Sequence, residues 1–378
     1  MTSKGGEIIR AEYSVPEFHA DHNVYILGAG YSAAAGLPLM SNFLEKMREF
    51  RSGLDASDPR SAPIDAVLRM NLEAGKAARR INLDLDNIEV LLSLSASSDP
   101  IKPDKTLSPF LLPTNIIAKA ISATLEHYQD QYREICNENT FNAADRSYPI
   151  YDFMALVMAG KLGKLTSNIG QRNTIITFNY DTLVEQSLEA HNIKYSYGIH
   201  QPNAKNLSWY VAEDQADEGI VRILKLHGSI NLCAHSVYDR YSSMTLEPGP
   251  DGKSQAPLVL PPWWKKDPSR ELQAVWLKSL DRLKTATRII SIGYSCPPGD
   301  PYIKYLLASG LQDNISLSSV YVVNIDPAAQ ATTRSLFTDT FTSFKEIPPM
   351  PAESFFKGTS MTGYRTNSWL SDINRETR

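Results

Sequence analysis

Five short clusters in this chain combine small, polar and titratable side chains of the kind that bind and process nucleotides. They are Gly28-Ala29-Gly30-Tyr31-Ser32, Asn179-Tyr180-Asp181, His227-Gly228-Ser229, Gly293-Tyr294-Ser295 and Asn324-Ile325-Asp326. In the first, two glycines one residue apart permit a tight turn and a close backbone approach. The N–H groups and dipole of a helix start then favour an anion. The reading is a dinucleotide or nucleotide site, although the third glycine of G-x-G-x-x-G is replaced by Ala33 and a purely structural turn accounts for the same residues. Asn179 offers both a donor and an acceptor. His227 supplies an imidazole, the side chain that exchanges protons near neutral pH.

Each cluster follows an apolar run: Val24–Leu27, Thr174–Phe178, Val221–Leu226, Arg288–Ile292 and Val320–Val323. Unbroken runs of this length are the pattern of strands buried on both faces of a parallel sheet. In open α/β sheets, ligands bind outside the carboxyl ends of the strands at a topological switch point. Singly, each cluster is explained by helix caps and turns; five at one sheet edge point to a site. Ala33-Ala34-Ala35 predicts a short helix, stopped by Gly36-Leu37-Pro38, with Ser32 at its start. Ile193–Tyr197 and Pro257–Pro262 read as further strands. Between the first two strands, about 65–165 is helical. Ile117, Ile121, Leu125, Tyr128, Tyr132 and Ile135 keep a three-or-four spacing, and Phe153, Met154, Val157 and Met158 form another stripe. The expected fold is α/β, a Rossmann-like parallel sheet with this helical insertion over its mouth. An arm (1–22) precedes the domain (23–345), and a Ser, Thr, Pro and Gly-rich tail (346–378) follows it.

The chain has 378 residues, 42% hydrophobic and 21% charged, as a soluble globular protein would. A net charge of −4 argues against binding driven by nucleic-acid phosphates. Cys136, Cys233 and Cys296 are far apart and no C-x-x-C occurs, so neither a disulfide framework nor a zinc ribbon is supported. Glu7, Arg10, Glu12 and Glu17 interrupt the opening segment, and no stretch reaches the roughly 18 apolar residues of a membrane span. The expectation is a cytoplasmic protein with no membrane contact.

In order, these motifs resemble the sirtuin (SIR2) family, and more particularly its bacterial SIR2-like branch. GAGYS resembles the phosphate-binding opening, TFNYDTL the family's T-x-N-x-D-x-L, and KLHGS its histidine motif. IGYS sits where the family's second glycine-serine loop contacts the dinucleotide, and VVNIDP where the adenosine end is bound. PLVLPPWWKK and IGYSCPPGDPYIKYLL are typical of the bacterial branch, and the resemblance runs from about residue 23 to 330. It implies NAD as substrate, with Gly28, Ala29, Gly30 and Ser32 on the pyrophosphate. Asn179 would meet a ribose hydroxyl or water, and Asp181 the carboxamide or Asn179 itself. His227 would be the base, Gly293, Tyr294 and Ser295 would contact the dinucleotide, and Asn324 and Asp326 would take the adenosine end. Trp263-Trp264 would line the cleft.

Deacylase sirtuins carry a four-cysteine zinc module after the histidine motif; only Cys233 lies between His227 and Gly293 here. Acyl-peptide recognition is therefore in question, and cleavage of the nicotinamide–ribose bond is the leading expectation. The resemblance implies an NAD hydrolase similar to the SIR2-like effectors of bacterial anti-phage defence. Such an effector is controlled by homo-oligomerisation and a partner such as a HerA-like hexameric ATPase or a short Argonaute-type protein. The alternatives are a zinc-free deacylase or ADP-ribosyltransferase, and a non-catalytic NAD or ADP-ribose sensor. Elemental analysis of the purified protein is expected to find no metal in stoichiometric amount; one zinc per chain would refute that reading.

Overall fold

The computed structural model describes residues 8–10, 22–78, 80, 82–98, 111–138, 147–159, 173–215, 219–234, 236–242, 247–249, 252, 255–260, 270–296, 301–338, 343–345 and 347–357. The expected loop Pro100–Pro113 (up to residue 110), Trp263–Lys266, Pro297–Asp300, most of the arm and the tail beyond 357 lie outside these.

Among the described residues, seven strands form one parallel sheet. They are β1 (Asn23–Leu27), β2 (Asn173–Thr177), β3 (Tyr195–Ser196), β4 (Val221–Lys225), β5 (Arg288–Ile292), β6 (Ser319–Val323) and β7 (Ser343–Lys345). Across the sheet the order is β7-β6-β5-β1-β2-β4-β3. The chain winds outward from β1 in one direction, returns to β5 on the other side of β1, and winds outward again. The switch point therefore lies between β1 and β5, where two of the glycine clusters begin. β1, β2, β5 and β6 are buried along their whole lengths, as near-continuous apolar runs require.

Register fixes the site. Leu27 pairs with both Thr177 and Ile292, Thr177 with Lys225, and Ile292 with Val323. Five strands thus end at one level, and the clusters leave the sheet side by side.

The helices are α1 (Ala29–Ser32), α2 (Phe43–Ser52), α3 (Ser61–Ala78), α4 (Ile88–Ser98), α5 (Thr114–Glu138), α6 (Ile150–Met158), α7 (Leu183–Ala190), α8 (Arg270–Lys284), α9 (Pro301–Leu311), α10 (Pro327–Arg334) and α11 (Ala352–Lys357). As expected, α3 to α6 separate β1 from β2. None of the described helices is long and apolar enough to cross a membrane.

Three expectations need correction and one holds. Ala33–Ala35 forms the short helix that was expected, a 3-10 turn with Ser32 at its start and left-handed Gly36 at its end, and it follows directly on α1. Leu258–Val259 does not join the sheet: it pairs antiparallel with Gly228–Ser229 and lies over the histidine cluster. Part of the arm is a strand, Ile8–Arg10 pairing with Ser147–Pro149. The domain also extends past 345. Ile347, Met350, Ala352, Phe355 and Phe356 are buried in the main core, and Met350 N–H donates to Asn324 O (3.0 Å). Phe355→Ala is expected to cost about 3–5 kcal/mol of stability, read by urea unfolding; an unchanged midpoint would show that α11 is dispensable.

Candidate functional site

At the switch point the two glycine loops touch backbone to backbone. Gly28 N–H donates to Ile292 O (3.0 Å), Gly30 N–H to Gly293 O (2.9 Å), and Gly293 N–H to Val323 O (2.8 Å). A Cβ on Gly28 would lie 2.5 Å from Tyr294 Cα, one on Gly30 2.8 Å from Gly293 Cα, and one on Gly293 2.2 Å from Tyr31 N. Gly293 also takes φ +64°, which L side chains rarely adopt. What lies nearest these glycines in the fold is each other's backbone. The N–H groups of Gly28 and Gly30 are already engaged. Ala29 and Gly30, half-buried, and Ser295, exposed, border the remaining approach.

One turn later, Ser32 is buried and donates to Asp181 Oδ2 (2.7 Å). Its Oγ also accepts from Asn179 Nδ2 (3.2 Å), and the same Nδ2 donates to Gly28 O (3.0 Å). A main-chain carbonyl can only accept, so this contact fixes the amide's orientation, and both N–H bonds of Asn179 are spent. Its Oδ1 is the free end, so Asn179 presents an acceptor to a ligand. Asp181 Oδ1 accepts from Leu183 N (3.2 Å) at the start of α7. With both oxygens engaged, buried Asp181 orients Asn179 through Ser32, which favours one of the two roles expected of it. Ser32 is a link in that chain rather than a free hydroxyl for a phosphate.

His227 stands two residues beyond the end of β4, as Asn179 stands two beyond the end of β2, on neighbouring strands whose final residues are paired. Adjacent strands lie about 5 Å apart, so the two side chains share one edge. The buried imidazole meets Phe178 edge-on (centroids 5.0 Å) and Tyr180 at 6.4 Å, and Phe178 stacks on Tyr294 at 4.7 Å. This aromatic wall joins the clusters on β2, β4 and β5. Main-chain bonds hold the histidine loop: His227 O accepts from Leu260 N (2.9 Å), and Leu226 O from Trp276 Nε1 (3.1 Å). Gly228, at φ +87°, leaves no room for a Cβ, which would meet Leu258 O.

At the far end, buried Asn324 donates to Tyr294 O (3.1 Å) and its Oδ1 accepts from Asp326 N (3.0 Å). Asp326 is exposed and caps α10 by accepting from Ala328 N (2.9 Å). Both residues therefore have structural work where a ligand contact was expected: Asn324 holds the Tyr294 loop, and Asp326 starts a helix.

Several residues that brace the site went unread in the sequence. Tyr151 of α6 donates to Tyr31 O (2.8 Å) and accepts from Ala35 N (3.0 Å), clamping the short helical turn. Burial, and then Tyr151 and Asp181 nearby, push the Tyr31 phenol well above its usual range, so it stays neutral. Gln129 of α5 grips Thr182, accepting from its N–H (2.8 Å) and donating to its hydroxyl (3.2 Å). Beneath Asp181, Lys225 pairs with Glu185. The signal for all of these would be pairing across long sequence separations, which periodicity does not carry. No group of three or more His, Cys, Asp or Glu suited to a metal occurs among the described residues.

Residues 173–339 match the family described as the SIR2-like domain, a span holding four of the five clusters. Among solved structures, a Sir2 homologue in complex with ADP-ribose is 13% identical, covering 96% of each chain at a TM-score of 0.40. A structure described for the mechanism and regulation of Sir2 enzymes is also 13% identical, over 95% of this chain and 94% of that one, at 0.39. A Sir2 complex with a p53 peptide and NAD+ is 11% identical, over 89% and 90%, at 0.35. No curated protein matches the chain. Gly293→Ala is expected to destabilise the fold by about 2 kcal/mol or more. Unfolding midpoints equal to wild type would show that the loop contact is looser than its geometry.

Proposed function

We propose that the chain is an NAD hydrolase that cleaves the nicotinamide–ribose bond to give nicotinamide and ADP-ribose. The observation that carries the reading is the pairing of Asn179 and His227 on register-matched strand ends, with the acceptor of Asn179 turned outward. The SIR2-like match over 173–339 supports it.

NAD would lie along the sheet edge. Ala29, Gly30 and Ser295 border the path for its pyrophosphate, and the Tyr294–Phe178 stack forms an apolar side toward His227. Loss of nicotinamide leaves an oxocarbenium-like ribose carbon. The electron pair of the breaking C–N bond returns to the ring nitrogen, and a water oxygen bonds to the carbon. Asn179 Oδ1 would accept a hydrogen bond from that water or from a ribose hydroxyl. His227 would take the proton released as the new C–O bond forms. Phe178 and Tyr180 confine the imidazole, so it needs little reorganisation to act. The reading extends to a cytoplasmic defence effector that depletes NAD, working as a homo-oligomer with a HerA-like ATPase or short Argonaute-type partner. What supports that extension is the resemblance of Pro257–Lys266 and Ile292–Leu307 to the bacterial branch.

His227→Ala is expected to fold and to bind NAD within a few-fold of wild type, while nicotinamide release falls roughly 10²–10⁴-fold, about 3–5 kcal/mol of barrier. Asn179→Ala should lose a comparable factor. Calorimetry and chromatography of products, with and without candidate partners, make the measurement. Wild-type turnover in the His227 variant would remove that residue from the reaction. Tight NAD binding with no nicotinamide release under any assembly condition would favour a sensor, and release only with an acylated peptide or another acceptor would favour a deacylase or transferase.

A further inference from the structure

Lys225 is 1% and Glu185 2% exposed, and Lys225 Nζ meets Glu185 Oε1 at 2.9 Å. The same ammonium donates to the main-chain carbonyl of Asp181. Lys225 is the last residue of β4, two before His227, and Glu185 lies in the first turn of α7, four after Asp181.

Burying two ions forfeits their hydration, and a well-packed apolar pair of similar volume commonly serves stability as well or better. Stability alone therefore gives a weak reason for this pair. Its geometry gives a stronger one, because Asp181 is anchored from three sides. One carboxylate oxygen holds α7 through Leu183 N, and the other takes the Ser32 hydroxyl. The carbonyl takes Lys225. An apolar side chain could fill the space but could not pull on that carbonyl. Lys225 is thus the tie between the strand that ends in His227 and the loop that carries Asn179.

We infer that Lys225 and Glu185 are positioning residues, whose ion pair sets the Asn179–Asp181 loop against His227 for the reaction proposed above. The inference rests on that proposed activity for its kinetic consequence, but its structural content is separate. Neither side chain is placed in contact with substrate.

The test is the double variant K225M/E185L, which removes both charges while roughly keeping volume. It is expected to unfold at or above the wild-type temperature and to bind NAD within about threefold. Nicotinamide release should fall roughly 10- to 100-fold in kcat with little change in KM, as displacement of about 1 Å can do. Should the apolar pair not fold, K225M/E185Q, which keeps a neutral polar partner in the site, takes the same measurements. A crystal structure of the folded variant reads position directly: the inference expects Asp181 O to move and the Ser32–Asp181–Asn179 chain to lengthen or break. A wild-type rate in a folded variant, or an unmoved 179–182 loop, would overturn it. If wild-type protein releases no nicotinamide, the proposed activity fails, and the crystal structure of the variant alone decides this inference.

Discussion

The sheet is held together at its switch point by a contact that only backbone can make. β1 and β5 are neighbours in space and separated by more than 250 residues in sequence. The loop leaving β1 donates main-chain hydrogen bonds to the end of β5 and its loop, where any Cβ would collide. Everything that leaves the carboxyl edge takes its height from this contact. α1 begins there, Ser32 lies at its end, and Asn324 secures the opposite loop through Tyr294 O. The packed glycines are therefore first a structural device, and the open edge beside them is what a dinucleotide could use.

From that fixed edge a polar chain runs inward. Asn179, Ser32 and Asp181 lie among buried aromatic and aliphatic side chains, where an unpaired polar group is costly and a paired one is well ordered. The chain is directional. A carboxylate accepts a hydrogen bond from the serine hydroxyl, the serine oxygen accepts one from the amide N–H, and the amide oxygen is left facing out. A reactive side chain held this way has one orientation rather than two. The aromatic wall confines the His227 ring by shape.

Much of this architecture was legible in the sequence. Apolar runs followed by small or titratable residues mark strand ends, and β1, β2, β4, β5 and β6 are where those runs predict them. β7 was unreadable because Ser343–Lys345 alternates polar and aromatic residues in a polar neighbourhood and pairs only at the sheet edge. α11 was hidden by the composition around it, although Phe355 and Phe356 are its buried anchors. Within the site, residue types were readable and their partners were not. A glycine announces that something must come close, but not whether it is phosphate or chain. Ser32 announces a hydroxyl, but not that Asp181, 149 residues away, accepts its hydrogen bond. Tyr151 carries no motif, and KLHGS names Lys225 without its partner Glu185, since both roles exist only once distant segments meet.

The segment around Met350 adds a matter of timing. Its amide holds the Asn324 carbonyl, and Phe355 and Phe356 enter the same core as the strands made long before them. A ribosome makes this chain from β1 onward, and its exit tunnel shields the last few tens of residues from folding. While residue 357 is still inside, the strand ends can assemble, but the edge beside β6 lacks its brace. The strands can pair early in synthesis, whereas the brace on Asn324 forms only after the segment around Met350 has followed them out.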